Sequence, residues 1–86
     1  MEELIIWSGL RDRHSEASTS LGRVWIRLDG AERVTGIYTS FGRMEKWVPE
    51  PGEQLTLEDG KIQAEFLLAA ATAAKRLAEN TSQKIF

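Results

Sequence analysis

The stretch Arg-Val-Trp-Ile-Arg-Leu at 23–28 alternates with a strict period of two. That period belongs to an extended strand, whose successive side chains point to opposite faces. Val24, Ile26 and Leu28 therefore share one face, and Arg23, Trp25 and Arg27 share the other. Two guanidinium groups are too costly to bury unpaired, so the aliphatic face is the one that meets a core. The chain is thereby committed to a sheet with one dry and one open face, and Trp25 belongs to the open one.

The other β elements follow from composition and punctuation. Residues 4–7 form a short apolar run with β-branched and aromatic members, read as a first strand continuing toward Arg13. Gly9 allows a bulge or bend within it. Residues 14–20 are small and polar without a period, which reads as a surface loop. The second strand spans 21–29, and Asp29-Gly30 supplies a hairpin signal. Residues 33–39 form the returning strand. A three-residue loop places Val34, Gly36 and Tyr38 on the core face, opposite Leu28, Ile26 and Val24. A two-residue Gly30-Ala31 turn instead favours Thr35 and Ile37; the first register is preferred. A turn at 40–43 leads into a further strand at 44–48. Pro49-Glu50-Pro51-Gly52 then ends any sheet, because proline donates no ladder hydrogen bond. Leu55 and Leu57 either form a short strand or dock on the core.

A helix is expected over 60–79. Asp59 is the preferred N-cap, with Thr56 and Asp59 a weaker capping box. Ile62, Phe66, Ala69, Ala70, Ala73 and Leu77 fall on one stripe at helical spacing and form the expected packing face. Asn80 is the expected C-cap, with Lys75 and Arg76 near the negative end of the dipole. Leu67 and Leu68 lie off that stripe, so a second apolar face suits a symmetric homodimer, formed through the helix or through an edge strand. The terminal Ile85 and Phe86 are expected to fold back on the core or meet a partner. The fold class that results is α+β: a small antiparallel sheet of three to four strands with one C-terminal helix packed on one face. All 86 residues make one domain, with a β-rich part at 1–48, a connector at 49–55 and the helical part at 59–80.

Charge and cysteine content narrow the function classes. With 11 basic and 13 acidic residues the net charge is −2, which argues against a dedicated binder of duplex nucleic acid. No cysteine is present, so disulfides, thiolate metal sites and cysteine nucleophiles are excluded. Its lack fits a reducing compartment, and a cytoplasmic location is expected. No basic region precedes the N-terminal apolar run, and the run is short, so neither a signal peptide nor a membrane span is expected.

Catalytic equipment is sparse. His14 is the one histidine, flanked by Asp12 and Glu16, and it lacks the spaced partners of a metal site. No serine lies in a nucleophile-elbow pattern, and no glycines form a phosphate loop. The chain reads as a non-enzyme with no metal and no cofactor. The expected site is instead a partner-binding face made of Arg23, Trp25 and Arg27, with Arg11, Arg13 and Arg33 on neighbouring segments. Trp and Arg are enriched at interface centres, so the expected partner is another protein. A small inhibitor of the sort phages and mobile elements encode, occluding a host complex, is the expected setting. The alternative is single-stranded nucleic acid stacked on Trp25 and Tyr38 between arginines.

Overall fold

Tight turns that the local sequence supplies set each strand of the sheet. In the computed structural model, which describes residues 5–83, the elements are β1 (His14–Thr19), β2 (Gly22–Leu28), β3 (Val34–Ser40), β4 (Met44–Trp47) and α1 (Leu57–Gln83). The strands pair antiparallel in the order β1-β2-β3-β4, and α1 lies on β2 and β3. The fold is the expected α+β arrangement, an antiparallel sheet covered on one face by the C-terminal helix. Val24, Ile26, Leu28, Val34, Ile37, Ala64 and Leu68 form the buried centre.

The first strand does not run where the apolar residues are. Residues 5–10 adopt no regular element, Leu4 lies outside the described residues, and the expected loop at 14–20 instead supplies β1. Period two is present there in small side chains: Ser15 and Ala17 are buried beside Ile26 and Val24. The Ser15 hydroxyl donates to the Ser8 carbonyl at 2.8 Å, which makes its burial tolerable. A two-residue turn feeds this strand. Arg11 and His14 exchange backbone hydrogen bonds, both 2.9 Å, while Asp12 and Arg13 take φ of 49° and 62°, the geometry of a type I′ turn. Ile5 and Trp7 pack at the margin of the core. Ser8 covers the β1 edge: its backbone N–H donates to the Glu16 carbonyl, and its hydroxyl oxygen accepts the Glu16 N–H.

Between β2 and β3 the three-residue loop holds, but the register beyond it does not. Asp29 N–H donates to the Arg33 carbonyl, Glu32 N–H donates to the Asp29 carbonyl, and Leu28 pairs with Val34. A bulge then shifts the ladder, so Arg27 faces Gly36, Ile26 faces Ile37 and Trp25 faces Tyr38. Val34 and Ile37 both reach the core, three residues apart, which strict alternation forbids and one extra residue permits. The expected inward position of Tyr38 is thus overturned. Ile37 and Thr39 are buried in its place. The left-handed residue of this loop is Glu32, with φ 62°, and not Gly30.

The helix begins earlier than expected, and the opposite face packs. Thr56 is the N-cap: its hydroxyl accepts the Asp59 N–H at 3.2 Å, and the Asp59 carboxylate accepts the Thr56 N–H at 3.0 Å. This is the reciprocal capping box, and α1 runs on past Asn80 to Gln83, so Asn80 is not its C-cap. Gly60, Ala64 and Leu68 are buried against the sheet, with Leu57 and Leu67 beside them. The expected packing stripe points away: Ile62, Phe66 and Leu77 are 54%, 65% and 67% exposed. Space explains the choice, since a Cβ on Gly60 would lie 2.8 Å from Val34 Cγ2 and 3.3 Å from Ile26 Cγ2. Small residues let the helix settle onto the branched side chains of β2 and β3, where Phe66 has no room. The connector ends in a turn closed by Glu53 N–H to Glu50 carbonyl, with Gly52 at φ 89° after Pro51, and Leu55 accepts the Val34 N–H at 2.8 Å. Leu55 and Leu57 therefore dock and do not form a strand. Trp7 and Trp47 pack half-buried on the core.

Two substitutions test these seats. Gly60→Ala gains about 1 kcal/mol of intrinsic helix preference, yet overpacking against Val34 outweighs it, for a net loss of about 1 kcal/mol. Glu32→Gly relieves the left-handed backbone and raises stability by about 1 kcal/mol. Urea unfolding of each variant reads both signs.

Candidate functional site

The helix-free face of the sheet gathers the side chains that strand parity sends outward. Row by row, His14, Arg27 and Gly36 stand opposite one another, then Glu16, Trp25, Tyr38 and Lys46, then Ser18 and Arg23. Trp25 looks outward between Arg23 and Arg27, half-buried. Its indole and the Tyr38 ring are stacked with centroids 5.9 Å apart and planes 11° from parallel. Aromatic side chains directly opposite each other on neighbouring strands interact favourably.

Positive charge surrounds the pair unequally. Arg23 is committed to Glu16, with Nη2 2.6 Å from Oε2. Lys46 places Nζ 5.3 Å from the Tyr38 centroid, a cation over a π face. Gly36 makes room for that reach, since a Cβ there would lie 3.0 Å from Lys46 Cε. Arg27 is exposed and makes no ion pair among the described residues. His14, Glu16, Arg23, Trp25 and Arg27 line an open hollow of about 360 Å³. The stacked ring pair thus occupies the centre of this face, with Lys46 over Tyr38 and the exposed Arg27 at its rim.

Of the six residues expected to bind a partner, the sheet brings Arg23, Trp25 and Arg27 together. Arg11 and Arg13 belong to the turn before β1. The Arg13 guanidinium lies beside Gly30, about 4 Å from the position of a Cβ there. Arg33 lines a separate cleft with Leu28, Leu55 and Leu57, between the β2–β3 loop and the start of α1. Neither Arg13 nor Arg33 joins the Trp25 face, because both flank the far end of the β2–β3 hairpin. Sequence reasoning missed Glu16 and Lys46. The glycine inside β3 was the available signal, because a strand glycine marks close approach by a neighbour. Among the described residues no three histidine, cysteine, aspartate or glutamate side chains converge as metal ligands.

Arg13 and Arg33 have an electrostatic role at Asp29 instead. The Asp29 carboxylate accepts the Ala31 N–H at 2.8 Å and the Arg33 N–H at 3.0 Å. The hydrogen bond from the Arg33 N–H holds its pKa below the ordinary value; desolvation opposes that lowering, and the Ala31 hydrogen bond and the charges of Arg33 and Arg13 add to it. Comparison with protein-family models, curated proteins and solved structures finds no match.

A carboxyl whose pKa is lowered on folding stabilises the fold above its unfolded pKa, and that contribution is lost as pH falls through the folded pKa. Asp29→Asn therefore lowers the thermal midpoint at neutral pH. The deficit from the unaltered chain narrows as pH drops below the usual carboxylate range. A pH series of thermal melts checks both.

Proposed function

We propose that the chain is a non-catalytic protein-binding module that docks through the outer face of its sheet. The observation that carries the reading is the Trp25–Tyr38 stack on the helix-free face, with the exposed Arg27 beside it. Rigid aromatics offer large contact area at low entropic cost, and an arginine at their side selects carboxylates. The fitting partner surface is an apolar patch rimmed by acidic groups. A chain of this size acts by occupying such a surface, the mode of a small inhibitor or adaptor that occludes a larger complex. Freedom from cysteine suits a reducing compartment such as the cytoplasm. No described helix is long and apolar enough to cross a membrane.

One observation favours a second reading. Two nearly parallel rings with Lys46 and Arg27 nearby also suit bases of a single strand, stacked and neutralised together. Competition for the face separates the two. The double variant Trp25→Ala/Arg27→Glu loses about 1 kcal/mol of stability through the missing ring pair, and its circular dichroism stays that of the folded chain. Affinity capture with the unaltered chain recovers a protein that the double variant does not. Retention on a single-stranded oligonucleotide, weakening steeply with salt, selects the second reading. Capture that is equal for both forms removes this face from the function.

A further inference from the structure

We propose that α1 pairs antiparallel with α1 of a second copy of this chain through its solvent-facing stripe. The stripe is the one that the sheet rejects: Ile62, Phe66 and Leu77 remain more than half exposed, and Ala69, Ala70 and Ala73 between them are exposed too. Large apolar side chains aligned along one exposed helix face mark an interaction site. The helix also outruns its support. Its 27 residues extend about 40 Å, whereas the seven residues of β2 extend roughly 23 Å. Beyond Thr72 every residue of the helix to Asn80 is exposed, and the molecule measures 54 × 27 × 22 Å.

Charge identifies the occupant as a second copy and fixes the direction. At about 100° per residue, Glu65 and Arg76 fall on the same flank of the stripe, about three turns apart. They are too far apart to pair within one helix, and neither makes an ion pair among the described residues. A two-fold axis perpendicular to the helices brings identical flanks together. With its midpoint between Ala70 and Ala71, Glu65 of each helix comes level with Arg76 of the other, so two ion pairs form. In the same register Phe66 enters between Ala73 and Leu77 of the copy, Ile62 comes beside its Leu77, and alanines meet at the centre, where they allow close approach of the axes. Parallel pairing sets Glu65 level with Gln63 and Arg76 level with Ala74 of the other flank, and gains neither ion pair.

The arrangement stacks sheet, helix, helix and sheet, leaving a Trp25 face open on each outer side. A helical seam of this length falls below the usual ~800 Å² per partner of a stable interface. The dimer is therefore expected to dissociate on dilution.

Sedimentation equilibrium on the unaltered chain tests it, with twice the 9.7 kDa chain mass expected at several hundred micromolar and the monomer mass near 1 μM. Phe66→Asp weakens association by about 30-fold or more, as does Leu77→Asp, which lies beyond the sheet and leaves its packing intact. Arg76→Glu weakens it by about 10-fold through like charges, and Glu65→Arg combined with Arg76→Glu restores it. In a chain without cysteine, Ile62→Cys and Leu77→Cys variants cross-link to each other when mixed, and neither cross-links to itself. A monomer at every concentration overturns the proposal. So does a dimer indifferent to Phe66→Asp and Leu77→Asp, or self-cross-linking of either cysteine variant. Trp25→Ala leaves association unchanged, so failure here is distinct from failure of the sheet-face reading.

Discussion

The helix comes closest to the sheet where it has almost no side chain. Gly60 and Ala64 press on Ile26, Val34 and their neighbours, and a single methyl at Gly60 would already collide with Val34. That contact decides the rotation of α1 about its own axis. Once those two residues and Leu68 face inward, the larger apolar residues one third of a turn or more away must face outward. The small core and the exposed stripe are two results of one steric choice. Close approach lets a glycine and an alanine hold a helix on branched side chains, because dispersion rises steeply as gaps close.

A second constraint acts on the opposite side of the sheet. The bulge between the first and second pairs of the β2–β3 ladder moves Tyr38 from the core face to the open face. Without it, Tyr38 and Gly36 would point at the helix, and Ile37 would stand in water. The single extra residue therefore supplies the core with Ile37 and the outer face with a partner for Trp25. Its cost is one irregular step at a sheet end that Asp29 already ties down with its carboxylate.

The outcome is a thin molecule with two unlike faces. One carries stacked rings ringed by cations; the other carries an aliphatic and aromatic helix stripe with mixed charge at its flank. The sheet and the seated part of the helix lie between them, so occupation of one face leaves the other accessible. Edge protection fits this division. β1 is covered by Ser8 and by the Arg11–His14 turn, and the short β4 carries Glu45 and Lys46, charges that discourage strand addition. Both sheet edges are thereby guarded against the addition of a further strand.

Local rules carried the reading as far as local energies dominate. The outward Trp25, the three-residue hairpin loop, the proline stop, the fourth strand and the existence of the C-terminal helix all rest on patterns within a few residues. The strand at 14–19 was illegible because its inward residues are Ser15 and Ala17, whose polarity and size hide a period of two. They are buried by the long branched chains of β2, not by their own hydrophobicity. The helix face was misread for the related reason that a hydrophobic stripe reports what would gain most from burial, whereas packing is limited by the space available. Tyr38, and Lys46 beside it, joined Trp25 only through a register that followed from a bulge no residue type announces, whereas Glu16 reached Trp25 through the pairing of the hidden strand β1. Short-range preference thus determined which segments extend or coil, and steric fit between distant segments alone decided which of their faces meet water.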